Sequence, residues 1–130
     1  MSIVVAIKSI LLADTGFQAI GPTIYLLGSP INPDMPNITI HLVSGSDDMT
    51  HDGPDGLNMD MVRIFSKATV DQQTSAIAVA ARKALNGYVG IVSGHRIQLI
   101  THRNRNSDHD TEAGIYRQID DYRVAYSETS

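Results

Sequence analysis

A chain of 130 residues, 42% hydrophobic and 18% charged, has the material for one domain with a buried core and is not the composition of a disordered segment. A formal net charge of -4 and a pI near 5.6 leave no broadly basic surface to grip a phosphate backbone, which argues against a dedicated nucleic-acid binder. Cysteine is absent, so a disulfide framework, a thiolate nucleophile and a Cys-based zinc site are all excluded, and a reducing cytoplasm is the natural place of assembly.

With two Phe, five Tyr and no Trp, the core must rest on Ile, Leu, Val, Met and Ala. The opening run is broken by Lys8 and Ser9 and has no basic residue before it, unlike a signal peptide. No apolar stretch approaches the roughly 20 residues of a membrane span, so a soluble domain is expected.

Ile3, Val4, Ile7, Ile10 and Leu11 recur at three- and four-residue spacing and predict a helix. Ser2 is placed to cap it and Asp14-Thr15-Gly16 to stop it. From Phe17 to Pro36 the chain holds four of the five prolines and reads as irregular, with at most a short strand at Thr23–Leu27. Asn37 to Ser44 alternates as a half-buried strand. Gly45 to Gly56 is acidic and rich in turn formers, and is expected to be a long exposed connection. Alternation resumes over Leu57–Ser66, with Val62 and Ile64 assigned to the core.

A second helix is announced by the capping-box spacing of Thr69 and Gln72. Val70, Thr74, Ile77, Ala81, Ala84 and Leu85 trace one face, Arg82 and Lys83 favour its last turn, and Asn86-Gly87 ends it. Tyr88–Val92 and His95–Thr101 predict a hairpin turning at Ser93-Gly94. The polar run from His102 to Glu112 reads as another exposed loop. A closing strand from about Gly114 to Tyr126 breaks its alternation at Asp120-Asp121, where a bulge or an interface is expected. The whole, residues 1–130, is a single α+β domain: an antiparallel sheet of about four to five strands packed by the main helix, with an N-terminal helix.

Chemistry is harder to find. Asp48 to Gly53 partly matches the start of an EF-hand loop, but the position needing a bidentate Glu is Met59 and no exiting helix follows. His41, His51, His95, His102 and His109 form no zinc-type pair and read as scattered surface residues. Ser107-Asp108-His109-Asp110 has the residue types of a triad, yet neighbours in one polar loop do not converge as a triad must. His102-Arg103-Asn104-Arg105 is a small basic patch, more simply a solvated loop. No phosphate loop or dinucleotide fingerprint is present. Neither an enzyme nor a metal or other cofactor is expected.

The order of several stretches resembles the tail terminators, or tail-completion proteins, of long-tailed phages and gene transfer agents. These stretches are Leu11-Leu12-Ala13-Asp14, Ile24-Tyr25, Pro36-Asn37-Ile38-Thr39-Ile40, Asp52-Gly53-Pro54-Asp55-Gly56-Leu57, Val62-Arg63-Ile64 and Ala84-Leu85-Asn86-Gly87. Thr111 to Arg117 and Asp121-Tyr122-Arg123-Val124 complete the likeness over nearly the whole chain. Phe65-Ser66-Lys67 departs from the more aromatic stretch usual there, and Asp120-Asp121 places two acids where one is usual.

The resemblance implies a virion protein, assembled in the host cytoplasm, that forms a hexameric ring on the head-proximal end of the tail. Its partners would be further copies of itself, the tail tube protein and a head-side connector or stopper. DNA would pass through without sequence-specific binding. A head-side adaptor or stopper is the neighbouring alternative. Ring closure needs two different patches per subunit; the two charged runs are expected to supply them, through Asp47, Asp48, His51, Asp52 and Asp55 in one and Arg103, Arg105, Asp108 and Asp110 in the other.

Overall fold

The computed structural model describes residues 3–26, 34–43, 58–111 and 114–128. The first apolar stripe forms helix α1 (Ile3–Ala13), and Ile3, Val4, Ile7, Ile10 and Leu11 are all buried. Ser2 lies outside the described residues. Asp14 ends this helix and at once caps the next: its carboxylate accepts from the Phe17 backbone N–H at 2.8 Å and starts α2 (Thr15–Ile20). Gly16 therefore sits inside a helix instead of stopping one. The left-handed exit falls on Gly21, at φ 71°. This short helix exists to drive Phe17, fully buried, into the core.

Six strands follow, one more than the upper expectation, in the order β1-β2-β3-β6-β5-β4. They are β1 (Thr23–Leu26), β2 (Asn37–Val43), β3 (Asn58–Ala68), β4 (Gly90–Val92), β5 (His95–Asp110) and β6 (Ile115–Glu128). β1, the short strand allowed for at Thr23–Leu27, pairs parallel to β2 and makes the sheet mixed; every other pairing is antiparallel. The stretch expected to be irregular with at most a short strand thus supplies that strand, at the sheet edge, and most of a helix.

Helix α3 (Asp71–Leu85) starts one residue later than the capping-box pattern places it. Its N-cap is Val70, which offers no side-chain acceptor and is itself exposed, so the Thr69–Gln72 box is not formed. Thr74 instead donates its hydroxyl to the carbonyl oxygen of Val70 or of Tyr116, tying the first turn to β6. At the other end Asn86 and Gly87 end the helix as expected and also grip β5. The Gly87 N–H donates to the Ile100 carbonyl at 2.7 Å, and the Asn86 side-chain oxygen accepts from the His102 N–H at 2.9 Å.

The three helices share one core with one face of the sheet, which presents Ile38, Ile40, Val62, Ile64, Tyr122 and Val124. Alternation puts Arg63, Phe65, Lys67, Arg117, Asp121 and Arg123 on the opposite face. Ser93 (φ 50°) and Gly94 (φ 79°) make the expected two-residue turn between β4 and β5, with the double positive φ of a type I′ hairpin.

Candidate interface on the long hairpin and the open sheet face

The expected loop His102–Glu112 is a correction: through Asp110 it is strand, paired residue by residue with β6. It reads as loop because none of residues 103–109 is buried, so no apolar alternation is needed. Cross-strand side-chain pairs hold it instead. Arg117 and Asp108 face each other in register and form a two-point ion pair, at 3.1 and 2.6 Å. His109 stacks flat on Tyr116, with ring centroids 4.0 Å apart. Arg117 holds the Asp108 carboxyl below the ordinary aspartate range.

The irregularity expected at Asp120-Asp121 lies across the ladder. β6 runs in unbroken register with β3, while β5 carries one extra residue between Ile97 and Leu99 and another between His102 and Asn104. The second bulge, at Arg103, brings Arg105 opposite Asp120. Asp120, 2% exposed on the helix-bearing face, accepts from His102 Nε2 at 2.8 Å and Arg105 Nε at 3.4 Å through one oxygen, and from Gln118 Nε2 at 3.3 Å through the other. On the opposite face Asp121 takes a two-point pair from Arg63, at 2.8 and 3.2 Å. The two acids are therefore not a free interface. They anchor the root of the hairpin.

Of the residues expected at an interface, Arg103 is the bulge residue and exposed; Arg105 is exposed but turned back to Asp120; Asp108 is exposed and paired with Arg117. Asp110 closes the strand opposite Ile115. Asp47, Asp48, His51, Asp52 and Asp55, with the partial EF-hand match, lie outside the described residues. The histidines are not all surface groups either. His95 is fully buried, its Nδ1 3.0 Å from the Ser93 carbonyl oxygen, and His41 meets Phe65 edge to face. Their strand positions could be read from the sequence, but their burial could not.

Tyr122 is buried beside His102, and its hydroxyl has no hydrogen-bond partner among the described residues. Burial, and secondarily the charge of Asp120, push its phenol above the ordinary tyrosine range. A neutral form favoured by folding contributes its full stability below the unfolded value of about 10 and loses it as pH rises beyond that. A spectrophotometric titration is expected to show Tyr122 ionising only when the chain unfolds, with stability falling above pH ~10; a Tyr122→Phe variant removes that late step.

Among the described residues no group of three or more His, Asp or Glu could hold a metal ion. No described helix is long and apolar enough to cross a membrane.

Comparison with known proteins gives a family match and a fold match. Residues 5–127 match the family model of the tail completion protein gp17. Among solved structures, a chain from the virion of a native gene transfer agent particle superposes with a TM-score of 0.74 at 18% identity, covering 94% of this chain and 92% of that one. At that identity the likeness is one of fold. No curated protein sequence matches.

Proposed function

Because the chain belongs to the tail completion protein gp17 family, and is thus a structural protein of a virion tail, we propose that it is the tail terminator. In this reading copies close into a hexameric ring on the head-proximal end of the tail tube. One face of the ring complements the tube. The other does not template another tube ring, so polymerisation stops, and that surface receives the head-side connector. The chain has no catalytic role.

The observation that carries the reading is the β5–β6 hairpin: seven consecutive strand residues, 103–109, are exposed yet held rigid by the Asp120 and Asp108 contacts. An extended strand with an open edge offers backbone donors and acceptors to a neighbouring chain. In a cyclic ring such an arm meets a different patch on the next subunit. The hairpin residues Arg103, Arg105, Asp108 and Asp110 supply one side of that contact and the acidic stretch 45–56 the other. The acidic balance of the chain suits a channel that repels DNA and lets it pass.

The test adds purified protein to growing tail tubes and follows them by electron microscopy. One ring at a single end of each tube, with growth arrested, is expected. Tubes that grow on unchanged would overturn the proposal.

A further inference from the structure

Large apolar side chains left in water gather at one corner of the sheet. Of the six among the described residues, Val89, Ile91 and Leu99 are 66%, 60% and 46% exposed, and all three lie on or beside the β4–β5 hairpin. Register carries the patch inward across the open sheet face: Leu99 stands opposite Ala125, and Ala125 opposite Met59. A gathered patch of this kind marks a contact surface, which singly scattered residues do not.

Its rim is cationic. Arg96 is the cross-strand partner of Ile91, and Arg123 lies two residues from Ala125 on the same face. The Arg123 guanidinium rests against the Met59 sulfur at 2.9 Å. Neither arginine meets a carboxylate among the described residues. A complementary partner therefore brings an apolar group with an acid beside it.

Leu12, Leu42 and Val70 are the other exposed large hydrophobics, and one of them fits. Leu12 has Asp14 close by in sequence, but that carboxylate is occupied in capping α2. Leu42 stands opposite Val62, only three residues along β3 from Met59, and so belongs to the same end of the sheet as the patch. Val70 is 53% exposed, and the Asp71 that follows it is exposed and meets no cation among the described residues. Val70 also occupies the N-cap of α3, where Ser, Thr, Asp or Asn would stabilise the helix more.

The patch and Val70 lie at opposite ends of the sheet. Nine steps of β3 separate Met59 from Ala68, roughly 30 Å at about 3.3 Å per residue, and Val70 lies just beyond Ala68. One subunit cannot bring them together. Successive subunits can, because a closed ring joins two different patches of the same surface.

Resting on the ring reading above, we propose that Val70 of one subunit seats on the Val89–Ile91–Leu99 patch of a second copy, with Asp71 meeting its Arg96 and Arg123 rim. The apolar seat holds the contact, and the charges fix the direction in which subunits follow one another round the ring.

The cysteine-free chain allows a direct test. One preparation carries Val70→Cys, others Ile91→Cys or Leu99→Cys; pairs are mixed, assembled on tail tubes and oxidised. A disulfide-linked dimer that needs both variants is expected from at least one pair, and none when Leu42→Cys replaces the patch cysteine. A charge swap reads the same contact without crosslinking. Asp71→Arg should lower the fraction of capped tubes about tenfold, and adding Arg96→Asp and Arg123→Asp to the same chain should raise it again. All three positions are exposed, so each variant should keep the urea midpoint of the parent chain. Intact rings with no Val70 crosslink, and capping indifferent to Asp71→Arg, would overturn this contact and leave the ring standing. Loss of capping in Leu99→Arg without any Val70 crosslink would give the patch to the tube or another partner, and overturn the second copy as its occupant. Failure of the unmodified chain to form rings on tubes would instead remove the ring reading, and this contact with it.

Discussion

Replacing Phe17 with alanine is expected to cost about 4 kcal/mol of stability, a large share of what a domain of this size possesses. Phe17 is fully buried in the core, and its helix packs on α1 and α3. It reaches that place only because Asp14 caps a helix of 6 residues and Gly21 ends it. Truncation removes the ring and leaves a cavity that a helix pinned at both ends cannot collapse to fill. Urea titration should show a lower midpoint at an unchanged slope, since the surface exposed on unfolding is nearly the same. Asp14→Ala should reproduce a part of the loss, about 1 kcal/mol, by removing the cap alone.

The second large effect is expected at Asp120. Asp120→Ala leaves His102, Arg105 and Gln118 without their shared acceptor. Stranding the partners of a buried charge costs several kcal/mol when they are also buried. Here Arg105 is 41% exposed and His102 18%, so water recovers part of the loss, and about 2 kcal/mol is expected. The effect should also be local. The carboxylate fixes the bulge at Arg103, so backbone amides of residues 103–109 should exchange markedly faster in Asp120→Ala while those of α1 stay protected. Equal acceleration throughout would mean that Asp120 supports the whole fold and not the hairpin.

These two positions show what was legible in the sequence. The long periodic elements were. The α1 stripe, the Val62 and Ile64 core positions, the Asn86-Gly87 stop and the Ser93-Gly94 turn all declare themselves through spacing or backbone chemistry. α2 escaped because a helix of 6 residues is too short to show a period, and its signals, Asp14 and Gly21, also suit a loop. β1 is legible only as a possible short strand among prolines, and its parallel place beside β2 carries no signal in the sequence. The distal half of β5 was hidden by its lack of apolar residues, since a hairpin arm bare on both faces is held by cross-strand pairs visible only once register is known.

The site follows the same logic. Arg103, Arg105, Asp108 and Asp110 were recognisable as a charged cluster, but which of them points outward depended on the two extra residues in β5. The family, by contrast, could be read from the order of weak motifs along the chain, and residues 5–127 match its model.

The most direct measurement of the terminator role is electron microscopy of particles made by a strain lacking this gene. Over-long or uncapped tails lying apart from DNA-filled heads are the expected result. Tails of normal length beside heads that have leaked their DNA would contradict it, and would move the chain to the head side of the joint.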